Sequence, residues 1–246
     1  MRTDRFIKIA HRGASGSCPE NTRVAFEKAL ESGVDMIEVD CQLSKDGHVV
    51  VFHDEGLSRI AGVKGLVRGK SLKQLKKLDV GIRFKKSFKG ERILALEEVL
   101  EIVAGHADLN VDIKPAPRGP LGIELKILFI LSHYGYLERT VLSSFDYRSL
   151  RRVRELAPEA RVGLLYRDGM RENPFEVAGE IGAFSLHIEK DIAAPAILER
   201  ARKSGLKTFV WTVNEVAEME RFLSLGAHGL ISDFPERFWK IKPRRA

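Results

Sequence analysis

Short apolar runs of strand length alternate with amphipathic helical patterns along almost the whole chain, and that alternation limits the fold more than any other feature. Phe6–Ala10, Asp35–Cys41, Val49–His53, Leu109–Ile113, Val141–Ser144, Val162–Tyr166, Ala183–His187, Thr208–Thr212 and Gly229–Ser232 read as strands. Helical patterns fall over Asn21–Ser32, Leu96–Val103, Leu121–His133, Tyr147–Leu156, Pro174–Gly179, Pro195–Lys203 and Glu215–Leu225. The turn Lys45-Asp46-Gly47 makes Val49–His53 the return arm of a hairpin, so eight strands remain in a strand–helix repeat. Such alternation argues for a parallel sheet, and eight units close a barrel of about 250 residues. The chain has 246. An open doubly wound sheet is the alternative, weakened because no Gly-rich phosphate loop follows the first strand.

Residues 54–93 break the rhythm. They carry six glycines, many lysines and one short helical stretch, Leu72–Leu78. They read as an insertion above the barrel, within a single domain spanning 1–246; a merely decorative excursion is the plain alternative.

The strand ends carry the chemistry. His11-Arg12-Gly13 follows the first strand, Glu38-Val39-Asp40 closes the second, His53-Asp54 ends the hairpin arm, and Asp112-Ile113-Lys114 ends another strand. Burying such groups is costly unless they are paired or bind a metal, and strand C-termini are where βα-repeat proteins build active sites. Glu38 and Asp40, two apart on a strand, share a face. With Asp112 they would repel one another unless a cation sat between them, and oxygen ligands suit Mg²⁺, Mn²⁺ or Ca²⁺. The alternative is that they pair with Arg12 and Lys114. His11 and His53 are candidates for general acid and base; either one alone would read as a satisfied core histidine.

Arg12 offers a planar fork for phosphate and Lys114 a point charge. Glu20 and Asn21 could support the metal or His11, while Asn21 or Thr22 could simply cap the first helix. Phe145 and Trp211 are apolar walls if they face the mouth. Asp233, after the last strand, reads as a cap of the terminal helix. His48, His106, His133 and His228 sit at turns or element ends away from these positions, and His187 ends a strand.

The bulk composition sets broader bounds. Net charge is +7 and pI is near 9.4, with the excess concentrated in residues 64–92 and the tail Lys240, Lys242, Arg244 and Arg245. This reads first as solvated surface, and secondly as attraction to an anionic substrate or membrane surface. No nucleic-acid motif accompanies it. The two cysteines, Cys18 and Cys41, show no CxxC spacing, Met1–Arg5 leads straight into a strand, and no apolar run spans a bilayer. A cytoplasmic, reducing setting is the expectation.

Taken together in order, Ala10-His11-Arg12-Gly13-Ala14, Pro19-Glu20-Asn21-Thr22, Glu38-Val39-Asp40, Val51-Phe52-His53-Asp54, Asp112-Ile113-Lys114, Ser143-Ser144-Phe145, Trp211-Thr212-Val213-Asn214 and Gly229-Leu230-Ile231-Ser232-Asp233-Phe234-Pro235 resemble the glycerophosphodiester phosphodiesterase family. The resemblance implies an α/β TIM (β/α)8 barrel with a small insertion after the second strand. It implies hydrolysis of small glycerophosphodiesters to an alcohol and sn-glycerol 3-phosphate, with one divalent cation, Mg²⁺ or Ca²⁺ or else Mn²⁺. It implies that His11 and His53 are the acid–base pair and that Glu38, Asp40 and Asp112 bind the metal. Arg12 and Lys114 would bind phosphate, and Phe145 and Trp211 would line the glycerol or leaving-group side. The family usually has Glu where this chain has Asp112, a shorter arm that would alter the metal site. Two competing readings stay open: action on lysophospholipids, and a non-catalytic phosphodiester-binding barrel. A pure binder would not need the full set His11, His53, Glu38 and Asp40. For lipid docking, residues 54–93 show no clear amphipathic stripe. A homo-oligomer is left open.

Overall fold

The computed structural model describes residues 6–114 and 122–242, so the expectations for Met1–Arg5, for the helix start at Leu121 and for Arg244 and Arg245 lie outside the described residues. Eight parallel strands close on themselves. In chain order they are β1 (Ile7–His11), β2 (Met36–Leu43), β5 (Asp108–Ile113), β6 (Thr140–Ser144), β7 (Arg161–Tyr166), β8 (Ser185–Glu189), β9 (Lys207–Trp211) and β10 (Gly229–Ser232). Closure comes from β1, which pairs with β2 on one side and β10 on the other. The fold is thus a TIM barrel.

Two further strands, β3 (Val49–Val51) and β4 (Leu94–Ala95), run antiparallel and extend the sheet from the far end of β2. The hairpin is therefore present, as its turn predicts, and β4 returns the chain from the insertion. The sequence offers no sign of β4, because two residues are too few to show alternation.

Around the barrel lie α1 (Arg23–Glu31), α4 (Leu96–Val103), α5 (Ile123–His133), α6 (Tyr147–Leu156), α7 (Pro174–Ile181), α8 (Pro195–Lys203) and α9 (Val216–Ser224). Alternation along each strand sorts side chains between two cores. Ile37, Val39, Cys41, Leu109, Val111, Leu142, Leu164, Leu186, Val210 and Leu230 face the helices in the main cluster. Ile9, Met36, Val141, Phe209 and Ile231 fill the barrel interior. The residues continuing that interior row toward the strand ends are His11, Glu38, Asp40 and Asp112, so one period of two delivers both the packing and the polar mouth.

Residues 54–93 hold α2 (Ser58–Ala61), α3 (Leu72–Leu75) and two short 3₁₀ turns. Ser71 and Gln74 form a reciprocal capping box at α3, which ends earlier than the Leu72–Leu78 pattern predicts. Val50, Phe52, Leu57, Val67, Leu75, Val80 and Ile93 give this segment a small core of its own. Cys18 and Cys41 are buried free thiols, both pushed up in pKa by burial. Among the described residues no helix is long and apolar enough to cross a membrane.

Candidate active site

Register assembles the mouth. His11 lies beside Glu38 on the β1–β2 pair, and Asp40 beside Asp112 on the β2–β5 pair. One oxygen each from Glu38, Asp40 and Asp112 lie within 4.8 Å of one another, all three residues buried. Two cations face these three carboxylates. Lys114 Nζ is 2.7 Å from Asp40 Oδ1 and 2.5 Å from Asp112 Oδ2, and Arg12 Nε is 3.2 Å from Asp40 Oδ2. The ion pairs that the sequence left as an alternative are therefore present, but they are one cation short. Burial and then the Asp40 charge push Glu38 well above the usual carboxylate range. Burial drives Asp112 up to about 6, with Lys114 pulling the other way. Burial would raise Asp40 too, but Lys114 and Arg12 hold it well below its ordinary value. Asp112 Oδ1 is buried with no hydrogen-bond partner. An orphaned carboxylate oxygen beside two others is a donor set that fits a hard divalent cation.

The loop after β1 is built for this. Arg12 and Asn21 both adopt left-handed backbone, φ 56° and 58°, a strain of about 1–3 kcal/mol each. The Arg12 N–H donates to Glu38 Oε2 at 2.9 Å, and the Asn21 N–H donates to the Arg12 carbonyl at 3.0 Å. Gly13, at φ 79°, passes so close to α1 that a Cβ would lie 2.7 Å from the Ala25 backbone. Thr22 is the helix cap, its hydroxyl accepting from the Ala25 N–H. This leaves Asn21 to donate to Asp40 Oδ2 at 2.8 Å. Glu20 contacts two arginines rather than the acidic trio: Arg12 at 3.0 Å and Arg59 at 2.8 Å.

Each histidine is gripped at Nδ1 by a carboxylate. His11 Nδ1 is 2.6 Å from Asp233 Oδ1, and His53 Nδ1 is 2.7 Å from Asp54 Oδ1. In both, Nε2 is the ring nitrogen that this carboxylate does not engage. Asp233, expected to cap the terminal helix, instead holds His11, accepts from Ser15 Oγ at 3.0 Å and from Asn214 Nδ2 at 2.7 Å, and caps no helix. The terminal segment Pro235–Lys240 is a 3₁₀ turn without a side-chain cap. Burial would raise Asp233, but His11 and Asn214 bring it down to about 2. Asp54 is also brought to about 2, first by Arg59. Burial lowers His53 below its ordinary value, with Asp40 opposing.

Arg59 is a further residue of the site that the sequence does not reveal. From α2 it binds Asp54 through Nε and Nη2 and Glu20 through Nη1 and Nη2, at 2.7–2.8 Å. It thus joins the partner of His53 to the partner of Arg12. Nothing local marks it among the other cations of residues 54–93.

Both histidines, the acidic trio, Arg12 and Lys114 line a cavity of about 150 Å³, together with Phe145, Trp211 and Arg167. Phe145 and Trp211 meet edge to face at 5.7 Å, and the Arg167 guanidinium lies 5.0 Å over Phe145. His187 is buried deeper in the barrel against Phe209, with Ser185 Oγ on Nε2, and burial takes it down to about 3. It is a neutral core residue. A larger hollow of about 480 Å³ between the loop after β7 and α8 contains none of the expected site residues.

Two carboxylate-held histidines, two cations and an acidic trio around one small cavity at the barrel mouth are groups suited to hydrolysing an anionic ester. The sequence profile of the Glycerophosphoryl diester phosphodiesterase family matches residues 11–237. The chain is 44% identical to a glycerophosphodiester phosphodiesterase of Caldanaerobacter subterraneus subsp. tengcongensis, over 94% of this chain and 95% of that one. Its fold is similar to that of an Oleispira antarctica phosphodiesterase solved with the product sn-glycerol-3-phosphate, at TM-score 0.87, 26% identity and 96% coverage of both chains. A Thermotoga maritima glycerophosphodiester phosphodiesterase matches at TM-score 0.78 and 30% identity, over 97% of this chain and 99% of that one. The chain belongs to the glycerophosphodiester phosphodiesterase family and is a phosphoric diester hydrolase.

Proposed function

We propose that the chain cleaves glycerophosphodiesters to an alcohol and sn-glycerol 3-phosphate, with His11 and His53 as acid and base and with one divalent cation on Glu38, Asp40 and Asp112. The observation that carries this reading is the pair of histidines, each held at Nδ1 by a carboxylate, on one cavity with the acidic trio. When bound, the cation supplies neutralisation of charge on the phosphoryl oxygens.

The residues of the chain supply the rest. Arg12 and Lys114 attract and orient the phosphodiester anion. The Nε2 of one histidine takes the proton of the attacking hydroxyl as its oxygen bonds to phosphorus; attack by water gives glycerol 3-phosphate directly, whereas attack by the substrate's own glycerol hydroxyl gives a cyclic phosphate that water then opens in a second displacement of the same kind. The bond from phosphorus to the leaving oxygen breaks, and the other histidine gives that oxygen a proton from Nε2. Asp233 and Asp54 hold the two rings in the tautomer and orientation this needs. Phe145 and Trp211 pack against the carbon skeleton beside the phosphate.

The test is glycerol 3-phosphate release from glycerophosphocholine by EDTA-stripped protein, with Mg²⁺, Ca²⁺ or Mn²⁺ added back. Release restored by a divalent cation is expected. Full release in the presence of chelator would remove the metal from the reading, and no release under any condition would overturn the substrate assignment.

A further inference from the structure

Residues 54–93 hold twelve Lys and Arg against four Asp and Glu, a net charge of +8 in a chain whose total is +7. The remainder of the protein is therefore net −1, and the whole positive excess lies in the segment beside the mouth. Among the described residues, Lys85, Lys86 and Lys89 pair with no carboxylate, and all three are exposed. Interleaved with them are exposed apolar side chains, Ile82 at 41% and Phe84 at 47%. Phe88 meets Phe84 edge to face at 5.7 Å, so the two rings form one preformed apolar knob.

The base of this loop is closed. Asp79 accepts from the backbone of Gly81, Ile82 and Gly90, and the Val80 N–H donates to the Glu91 carbonyl. A Cβ on Gly81 would lie 2.0 Å from the Phe88 carbonyl oxygen, so only glycine lets the chain fold back and thrust the tip outward. Arg83 Nε donates to the Arg59 carbonyl, and Arg59 holds Glu20 and Asp54. The tip is thus one residue removed from the rim of the active site. The amphipathic character is carried by a closed loop, which is why no helical stripe appears in the sequence.

We propose that this tip, residues 81–89, docks on an anionic phospholipid surface. Apolar side chains ringed by cations match an interface of acyl chains beneath negative headgroups. A duplex would offer its phosphates to the lysines but no apolar partner to Ile82 and Phe84. Docking there brings the catalytic mouth to the lipid boundary, whichever diester is cleaved.

The experiment is cosedimentation of the full chain with phosphatidylcholine vesicles, with and without phosphatidylglycerol, over a salt series. Binding is expected only with phosphatidylglycerol and should weaken with salt. Lys85→Gln with Lys86→Gln should lower vesicle affinity about 25-fold, roughly fivefold each, and Phe84→Ser about 10-fold. Turnover of water-soluble glycerophosphocholine should stay at the level of the parent in all variants, and circular dichroism reports their folding independently of activity. No binding to anionic vesicles would overturn the proposal. So would binding that ignores Phe84→Ser, or duplex DNA bound as tightly with the same lysine dependence.

Discussion

The two histidines of the mouth have the same local chemistry and opposite origins. His11 stands on β1, and its carboxylate partner Asp233 follows β10, 222 residues away. Only closure of the barrel brings them together. The partner of His53 is its neighbour in sequence, Asp54, and that carboxylate is held in turn by Arg59 from the insertion. His11 is the more enclosed of the two, with 19% side-chain exposure against 34% for His53. One arm is thus as rigid as the barrel. The other is only as firm as a hairpin end and the small core behind it.

Removing the imidazoles should show that both arms matter equally to the chemistry. His11→Ala and His53→Ala should each cost about 10²–10⁴ in kcat/KM; turnover within a factor of a few of the parent would remove that residue from the acid–base pair. The carboxylates should then separate the arms. Asp233→Asn should cost about 10²-fold, because it turns a half-buried orienting acceptor on the barrel-held arm into an amide. Asp54→Asn, on the more exposed arm, should cost about 10-fold. Equal losses would mean that the two arms are held alike.

Arg59→Gln comes next, with about a 10-fold loss expected. The loss should be shared by His53→Ala and Arg59→Gln in a double-mutant cycle and should add to that of His11→Ala. Additivity with both histidines would sever the link through Asp54.

The smallest effect is on acid stability. Asp233 and Asp54 titrate near 2 when folded, below the ordinary value of 3.8. Between those values the unfolded chain binds more protons than the folded one, so their contribution is complete above about pH 4 and is lost as pH falls toward 2. Asp233→Asn should flatten that part of the pH–stability curve, measured by urea titration. An unchanged slope would mean that Asp233 contributes nothing there.

Much of the architecture is legible in the chain of residues alone. Strand runs and helical patterns place the eight repeats, because alternation and the 3.6-residue period are local consequences of burial. The acidic trio and both histidines stand at strand ends that the pattern marks. Asp54 is readable beside His53. Asp233 is misread as a cap, since an Asp before a helix-like segment satisfies the capping rule as well as any other. Arg59 is one of twelve similar cations in its segment, with no local mark to set it apart.

The amino-acid order by itself therefore determined the repeat, the face to which each strand residue points and the types of group gathered at the mouth. These depend on neighbours a few residues apart. Only the tertiary structure decided which carboxylate grips which histidine, that three buried acids meet two cations, and that Ile82 and Phe84 protrude beside the lysines. Those depend on strand register, barrel closure and the return of a loop past Gly81, where free energy comes from contacts between residues far apart in the chain.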